Sequence, residues 1–373
     1  MEHFDVIIIG AGIAGVGLAY HLNKICPEKK TLIIDKEDIA FNEGYGSRIT
    51  YSETINKYNL PYKHIFDGMK IGNKKGVYLT VDAPFFAIDY KEVCASLLNR
   101  SSLILKKEKA IRIFRDILET NKNKYHFKFL VDCSGHNAFL NKFIKRKNPL
   151  FYWIGNTNIC EGKSILKENY FYLLAEDNGF IEDIYVTSDQ ISLGHWTYTK
   201  KIDFNCIKYP KQKFSSKVLN NLSFIKQSRV VVPGTPILPL TKKNFAFLGD
   251  SMGNVIPTVG EGVRPILESS ELLARAIKKN NLKLFDKEWK RIYLSRYLKV
   301  ISGKIDIKDR LAIGYMLVKN PEIFLKMIKL EKFKFPEEVS KKIPIKWKKE
   351  ILKRFILLRF KFFIMDPFLS FRI

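Results

Sequence analysis

The sequence of 373 residues has little cysteine, and its spacing suits no shared role. Cys26, Cys94, Cys133, Cys160 and Cys206 are odd in number and scattered, without a CxxC pair. That argues against a disulfide framework and a zinc knuckle, and it fits a reducing compartment. Long apolar runs are also missing. None reaches the roughly 18–20 residues of a spanning helix. Acidic Glu2 and Asp5 precede only the short run Val6 to Ile9, which glycine then breaks, so no signal peptide is expected. The six histidines (His3, His21, His64, His126, His136 and His195) lack metal-ligand spacing, so no metal site is expected. A Gly-x-Ser-x-Gly elbow, a P-loop and paired catalytic carboxylates are absent as well. Arginine is scarce at 14 of 64 basic residues, with lysine supplying 50. Nucleic-acid readers lean on arginine forks, and no nucleic-acid motif is present.

What is abundant is positive charge. The formal balance is +26. It favours an anionic partner, although a lysine excess also reads as a solvated surface. The expected location is cytoplasmic, with room for peripheral attachment to the inner face of a membrane. A chain of this length suits two or three domains.

Hydrophobic periodicity divides the chain. Residues 5–9 read as a buried strand, Ile13 to Lys24 as a helix and Thr31 to Asp35 as a second strand. Residues 41–52 read as a loop. Val77 to Val81, Leu103 to Leu105, Ile111 to Ile113, Phe127 to Val131 and Phe245 to Leu248 read as strands. Asp89 to Asn99 and Val263 to Lys278 read as helices. Between residues 148 and 235, short aromatic and β-branched runs such as Phe151-Tyr152-Trp153 and Ile184-Tyr185-Val186 suggest an antiparallel sheet.

Two glycine-rich segments carry the chemistry. Gly10-x-Gly12-x-x-Gly15 follows an apolar strand and opens a helix. In that context the first glycine permits a tight turn, the second lets backbone approach a pyrophosphate, and the third lets helix and strand pack closely. The helix start offers free N–H groups and a positive dipole to phosphates. Asp35 ends the next strand and can accept hydrogen bonds from a ribose diol. This motif implies a dinucleotide and does not choose between FAD and NAD. No second GxGxxG follows, so one dinucleotide is the simpler reading. The other segment is Phe247-Leu248-Gly249-Asp250, then Pro257-Thr258-Val259-Gly260-Glu261-Gly262-Val263 at a helix start.

That second segment, with Val131-Asp132-Cys133-Ser134-Gly135 between the two, resembles the geranylgeranyl reductase family. The family belongs to the p-hydroxybenzoate-hydroxylase-like group of FAD-dependent oxidoreductases. The three motifs occur in the family's order and span most of the chain. The resemblance implies an α/β (α+β overall) fold: a Rossmann-like FAD-binding domain, an antiparallel-sheet substrate domain and a helical C-terminal region. The expected FAD-binding domain is discontinuous, over 1–147 and 236–282, with a small excursion near 60–86 joining the substrate domain of 148–235. Residues 283–373 form the expected basic helical region.

The FAD-binding residues implied are Gly10, Gly12, Ile13, Ala14, Gly15, Asp35, Lys36, Arg48, Ala110, Asp250, Gly260, Gly262 and Val263. Asp250 would accept from a ribityl or ribose hydroxyl. The N–H groups of Gly262 and Val263 would face the flavin's N1–C2=O edge and stabilise negative charge there. Arg48 would pair with the pyrophosphate. Tyr45 and His195 are candidate catalytic residues. His136, after Gly135, is a further candidate near the substrate.

The sequence departs from the reductases in three places. Tyr45 or Gly46 stands where they often carry cysteine. Asp89 stands where arginine is frequent. Gly179 to Tyr185 lacks the proline of their aromatic substrate motif. The reaction implied is reduction of carbon–carbon double bonds in a polyprenyl lipid or quinone, with NAD(P)H or reduced ferredoxin as electron donor. Two rivals stand beside it: an FAD-dependent monooxygenase on the same fold, and a non-catalytic basic binding protein with a flavoprotein-like fold.

From Lys341 to Ile373 there are ten basic and two acidic residues. Trp347, Ile351, Phe355, Leu358, Phe362 and Met365 form one helical stripe. A basic amphipathic helix of this kind suits an anionic membrane surface, and it equally suits packing on the core.

Overall fold

The computed structural model describes residues 1–37, 48–73, 76–81, 84–101, 103–149, 152–166, 169–175, 181–187, 190–199, 201–207, 215–255 and 262–294. Expectations for Tyr45, Gly260 and the tail 341–373 lie outside these residues, as does the side chain of Arg48.

The chain opens with strand β1 (Glu2–Ile9), helix α1 (Ile13–Ile25) and β2 (Thr31–Asp35). Then come β3 (Arg48–Tyr51), α2 (Ser52–Tyr58), β4 (His64–Phe66), β5 (Gly68–Asn73), β6 (Gly76–Val81), β7 (Phe85–Ile88) and α3 (Tyr90–Asn99). Strands β8 (Ile104–Lys107), β9 (Ala110–Phe114), β10 (Ile117–Thr120) and β11 (Lys124–Asp132) follow. Next are β12 (Tyr152–Ser164), β13 (Tyr170–Ala175), β14 (Ile181–Val186), β15 (Ile191–Thr199), the short α4 (Ser215–Val218) and β16 (Leu219–Pro233). β17 (Thr241–Lys242), β18 (Phe245–Phe247), α5 (Val263–Lys278) and α6 (Leu282–Trp289) complete the described strands and α-helices, and a π-helical turn over Lys290–Leu294 follows.

Three sheets result. An eight-stranded sheet runs β17-β18-β11-β1-β2-β8, with β10 and β9 attached beside β11. Its centre is parallel: β1 pairs β11 and β2, β2 pairs β8, and β11 pairs β18. Central parallel strands are covered on both faces. Val6, Ile7, Ile8, Ile33, Val131 and Phe247 are accordingly fully or almost fully buried. Each such side chain contributes about 1.5–3 kcal/mol over an exposed one. α1 lies against this sheet and against α5. A Cβ at Gly17 would come within 2.8 Å of Leu267, so the small residue sets how closely those helices pack.

The seven-stranded sheet runs β16-β12-β15-β14-β13-β5-β6. It is antiparallel except at one seam, where β13 pairs β5 in parallel. Apart from that seam the sheet is antiparallel, as expected. Strands from residues 68–81 complete a sheet built mainly from 152–233. The strands also run longer than their apolar cores suggested. β16 spans 15 residues, and its exposed stretch mixes polar groups with the apolar Phe224 and Ile225, which weakens the period-two signal. The segment 48–88 also carries a small sheet of order β3-β7-β4, together with α2, where sequence reading placed the end of a loop.

Candidate functional site

The three motifs of the sequence meet at the C-terminal ends of β1, β11 and β18. Gly10 follows β1 with φ +107°, a region that L side chains rarely adopt, and a Cβ there would collide with the carbonyl oxygen of Cys133. Cys133 N–H donates to Ile9 O at 2.8 Å, which locks the first motif to the middle one. Asp132 is fully buried and organises the middle motif. Its carboxylate accepts from Ser134 N, Ser134 Oγ and Leu140 N at 2.6–2.9 Å. Its carbonyl accepts from Leu248 N at 3.0 Å and from Ser251 Oγ at 2.6 Å, which locks the middle motif to the last. Burial pushes the Asp132 carboxyl up, and the hydrogen bonds from Leu140 and Ser134 only partly counter this. Gly249 closes the ring: a Cβ on it would lie 2.6 Å from Ala14 Cβ.

The start of α1 fits a phosphate. Its N-cap is Gly12, no side chain caps from that position, and the first turn holds no acid. The positive end of the helix is therefore not neutralised by a carboxylate of its own first turn. Among the described residues, a Cβ at Gly12 would meet only Tyr90 Oη, at 3.6 Å. Tyr90 Oη accepts from Ile13 N at 3.0 Å and marks where a ligand oxygen can sit. Asp35 Oδ2 accepts from Ala11 N at 2.6 Å, and Oδ1 accepts from Glu37 N at 3.0 Å. Its carboxylate thus braces the glycine loop, with further lone pairs left for a diol. Lys36 is exposed just beyond it. Glu108 N donates to Asp35 O, which brings the chain just before Ala110 to the same edge.

On the opposite wall, Asp250 lies half-buried in a short 3-10 turn, Gly249–Met252. Gly262 is the N-cap of α5, and a Cβ on it would make only an ordinary 3.5 Å contact with Ile266. Nothing within the described fold demands glycine there. Close approach by a ligand gives a reason for it. α5 likewise has no acid in its first turn. The structure thus gathers Gly10, Gly12, Ile13, Ala14, Gly15 and Asp35 with Asp250, Gly262 and Val263 around one set of strand ends. These residues can hold a dinucleotide. Asp89, which stands where arginine is frequent in the reductases, is the N-cap of α3. It accepts from Lys91 N and Glu92 N and pairs with Lys63 at 2.9 Å.

His195 is not brought to this site. It lies on β15, 5% exposed, with Nε2 3.2 Å from Glu182 Oε1. Glu182 also accepts from Ser215 Oγ at 2.5 Å and from Ser215 N at 3.2 Å. Burial pushes the Glu182 carboxyl up, but the hydrogen bonds from His195 and Ser215 prevail and hold it below its ordinary value. This cluster is sealed under α4, on the sheet face that packs Leu174, Ile184, Leu193 and Val218. The structure thus seats the candidate His195 in this buried cluster and does not bring it to the glycine motifs. His136 is half-buried, and burial lowers its pKa.

The other face of the same strands meets the small β3-β7-β4 sheet through aromatic rings. Arg264, next to Val263, lies 5.1 Å over Tyr51. Tyr51 contacts Phe85 at 5.6 Å, Phe85 contacts Phe171 at 5.0 Å, and Phe171 stacks on Tyr185 at 5.7 Å. Sequence reading missed this wall and the polar group at its end, Asp183. The signal was available: Glu182-Asp183 and His195-Trp196 are consecutive pairs on strands, so one member of each must point to either face.

A groove of about 580 Å³ lies elsewhere, lined by Tyr20, His21, Lys24, Lys57, Tyr58 and Arg275 among others. Its cations stand in the last turns of α1, α2 and α5, where they offset helix dipoles. Burial lowers the His21 pKa to about 4. Converging carbonyl ends disfavour an anion, and the basic lining is explained by the helices themselves.

No family model matches the chain. Among curated proteins it is similar to the FAD-containing monooxygenase EthA of Mycolicibacterium smegmatis, with 51% identity over 35 residues, 9% of this chain and 7% of that protein. Among solved structures it is similar to the flavin-dependent brominase Bmp2, with TM-score 0.70 and 17% identity over 96% of this chain and 99% of the other. It is also similar to a geranylgeranyl bacteriochlorophyll reductase-like protein from Thermoplasma acidophilum, with TM-score 0.70 and 14% identity over 91% and 98%. The fold is therefore a mixed α/β fold that matches those of FAD-binding flavoproteins.

Proposed function

We propose that the protein is an FAD-dependent oxidoreductase that reduces carbon–carbon double bonds of a polyprenyl lipid or quinone. FAD would lie with its pyrophosphate on Gly10 to Gly15 and the start of α1, and its ribose near Asp35. Its flavin would lie near Asp250, Gly262 and Val263, with Gly260, Lys36, Arg48 and Ala110 completing the contacts. When bound, the cofactor supplies hydride chemistry, while the protein orients the substrate and excludes water.

The observation that carries the substrate class is the aromatic wall Tyr51, Phe85, Phe171 and Tyr185, each ring 9% exposed or less. Such a wall suits an unsaturated apolar chain better than a charged metabolite. NAD(P)H or reduced ferredoxin would provide electrons. The basic stripe of 341–373 would hold the enzyme at an anionic membrane surface, where such substrates reside.

The test is lipid analysis of a deletion strain. Loss of saturated prenyl chains supports the reading, and an unchanged profile overturns it. Liposome flotation with and without residues 341–373 tests the membrane attachment, which equal flotation of both forms would refute.

A second reading, an FAD-dependent monooxygenase, is favoured by the short match to the FAD-containing monooxygenase EthA. Stopped-flow reoxidation separates the two, because a flavin-hydroperoxide intermediate belongs to the monooxygenase alone. A purified protein that is colourless and cannot be reconstituted with FAD would instead favour a basic binding protein.

A further inference from the structure

Asp183 sits at the centre of the sheet face that bears the aromatic wall. Across the strands its row is Leu173 on β13, Gly194 on β15 and Thr157 on β12. Gly194 makes the room, since a Cβ there would collide with Asp183 Oδ1 and lie 2.5 Å from Trp196 Nε1. The carboxyl therefore lies flat across the glycine. Trp196 Nε1 donates to Oδ1 at 2.8 Å, and the Tyr185 hydroxyl is a second hydrogen-bond partner. The indole of Trp196 lies in turn across Gly155, whose Cβ would come within 2.5 Å of its ring. Two glycines on one face thus form a hollow that the Asp183 carboxyl and the Trp196 indole fill, with rings around it.

The carboxyl lies deep in the protein, although Asp183 as a residue is only partly buried, as is Trp196. The titratable neighbours are Tyr185 on its own strand and His195, which stands on the opposite face. Among the described residues, no lysine or arginine is one of the groups acting most strongly on it. Burial pushes its pKa above the ordinary value, and the hydrogen bonds from Trp196 and Tyr185 only partly counter this. Burial of this kind shifts a carboxyl toward its neutral acid.

We propose that Asp183 is the proton donor of the substrate site, handing the proton of its carboxylic acid to a substrate carbon across the hollow over Gly194 and Gly155. This rests on the reductase reading above. In the step, the substrate's C=C bond becomes a single bond. One carbon receives a hydride, with its electron pair, from the reduced flavin, which is left oxidised. The other carbon receives the proton, and the Asp183 O–H bond breaks. The carboxylate that remains is held by the N–H of Trp196 and the O–H of Tyr185, and water returns the proton. NAD(P)H or reduced ferredoxin restores the reduced flavin. Within this scheme Trp196 and Tyr185 are positioning residues, because they act through Asp183.

The test uses the full-length holoenzyme and three variants, Asp183→Asn, Trp196→Phe and Glu182→Gln. Infrared spectra at neutral pH are expected to show a carboxylic-acid C=O band that shifts in D2O, disappears in Asp183→Asn and persists in Glu182→Gln. Absence of that band in the native enzyme overturns the proposal whatever the substrate is. Single-turnover reduction of geranylgeraniol or a prenylated quinone by the pre-reduced enzyme is then followed. Asp183→Asn is expected to slow it about 10²–10⁴-fold, with flavin reduction by the donor unchanged. A native rate in Asp183→Asn overturns the proposal and leaves the reductase reading standing. If the native enzyme reduces neither probe, the reductase reading fails, and the donor assignment falls with it for those substrates even if the acid band is present. Should Asp183→Asn fail to fold, Trp196→Phe decides. Removing a donor to the carboxylate moves the alkaline limb of the pH–rate profile upward, and an unmoved limb counts against the proposal.

Discussion

Glu182 and Asp183 are neighbours on β14, as His195 and Trp196 are on β15, and the pleat sends the members of each pair to opposite faces. On the face under α4, Glu182 gathers Ser215 and His195 into a closed cluster that leaves no room for a ligand. On the face toward Tyr51 and Phe85, Asp183 is held by Trp196 and Tyr185 over a glycine and keeps accessible surface. The shifts run in opposite directions, with Glu182 lowered and Asp183 raised. One face spends its polar groups on stability. The other leaves a proton where chemistry can use it.

The largest way to break this contrast is Glu182→Ala. It strips the partner from His195 and Ser215 in a sealed interior, and the expected destabilisation is about 3–5 kcal/mol by chemical unfolding. Its effect on turnover of the remaining folded enzyme should be small. Next is Gly194→Ala, whose methyl collides with Asp183 and Trp196. It should cost about 1–3 kcal/mol through overpacking, and turnover should fall with it. A Gly194→Ala enzyme of native activity would mean that the Asp183–Trp196 contact does not matter.

Two further changes separate the faces by pH. Glu182, lowered in the fold, contributes stability above its unfolded value near about 4.3, and this is lost as pH falls through the lower folded value. Asp183 behaves oppositely. Its contribution is full below about 3.9 and is lost as pH rises through its higher folded value. Glu182→Gln should therefore flatten the acid limb of a stability–pH curve, and Asp183→Asn should remove the decline on the higher-pH side. The smallest expected effect is the stability change of Asp183→Asn in acid, about 1 kcal/mol or less. Asn keeps the shape of the neutral acid and an acceptor for the Trp196 N–H.

Much of the cofactor half was legible in the sequence because its constraints are local. Strand, Gly10 turn and helix follow one another, and the helix over Val263 to Lys278 ran as expected. The interlock of the three motifs was not legible. It depends on buried Asp132 and Ser251 bonding residues more than a hundred positions apart. The substrate half was harder still. Its sheet borrows β5 and β6 from residues 68–81, and its working face is set by parity across strand pairs. A histidine beside a tryptophan therefore drew attention to the residue of the pair that lies in the buried cluster. The small sheet formed by β3, β4 and β7 was missed because its strands are only three or four residues long.

The most direct measurement is a crystal structure of the protein reconstituted with FAD. The account predicts pyrophosphate on the α1 start beside Tyr90, and the isoalloxazine between Gly262–Val263 and the face that bears Asp183 and Trp196. An isoalloxazine on the His195 face, or a cofactor seated in the basic groove beside His21, would contradict it.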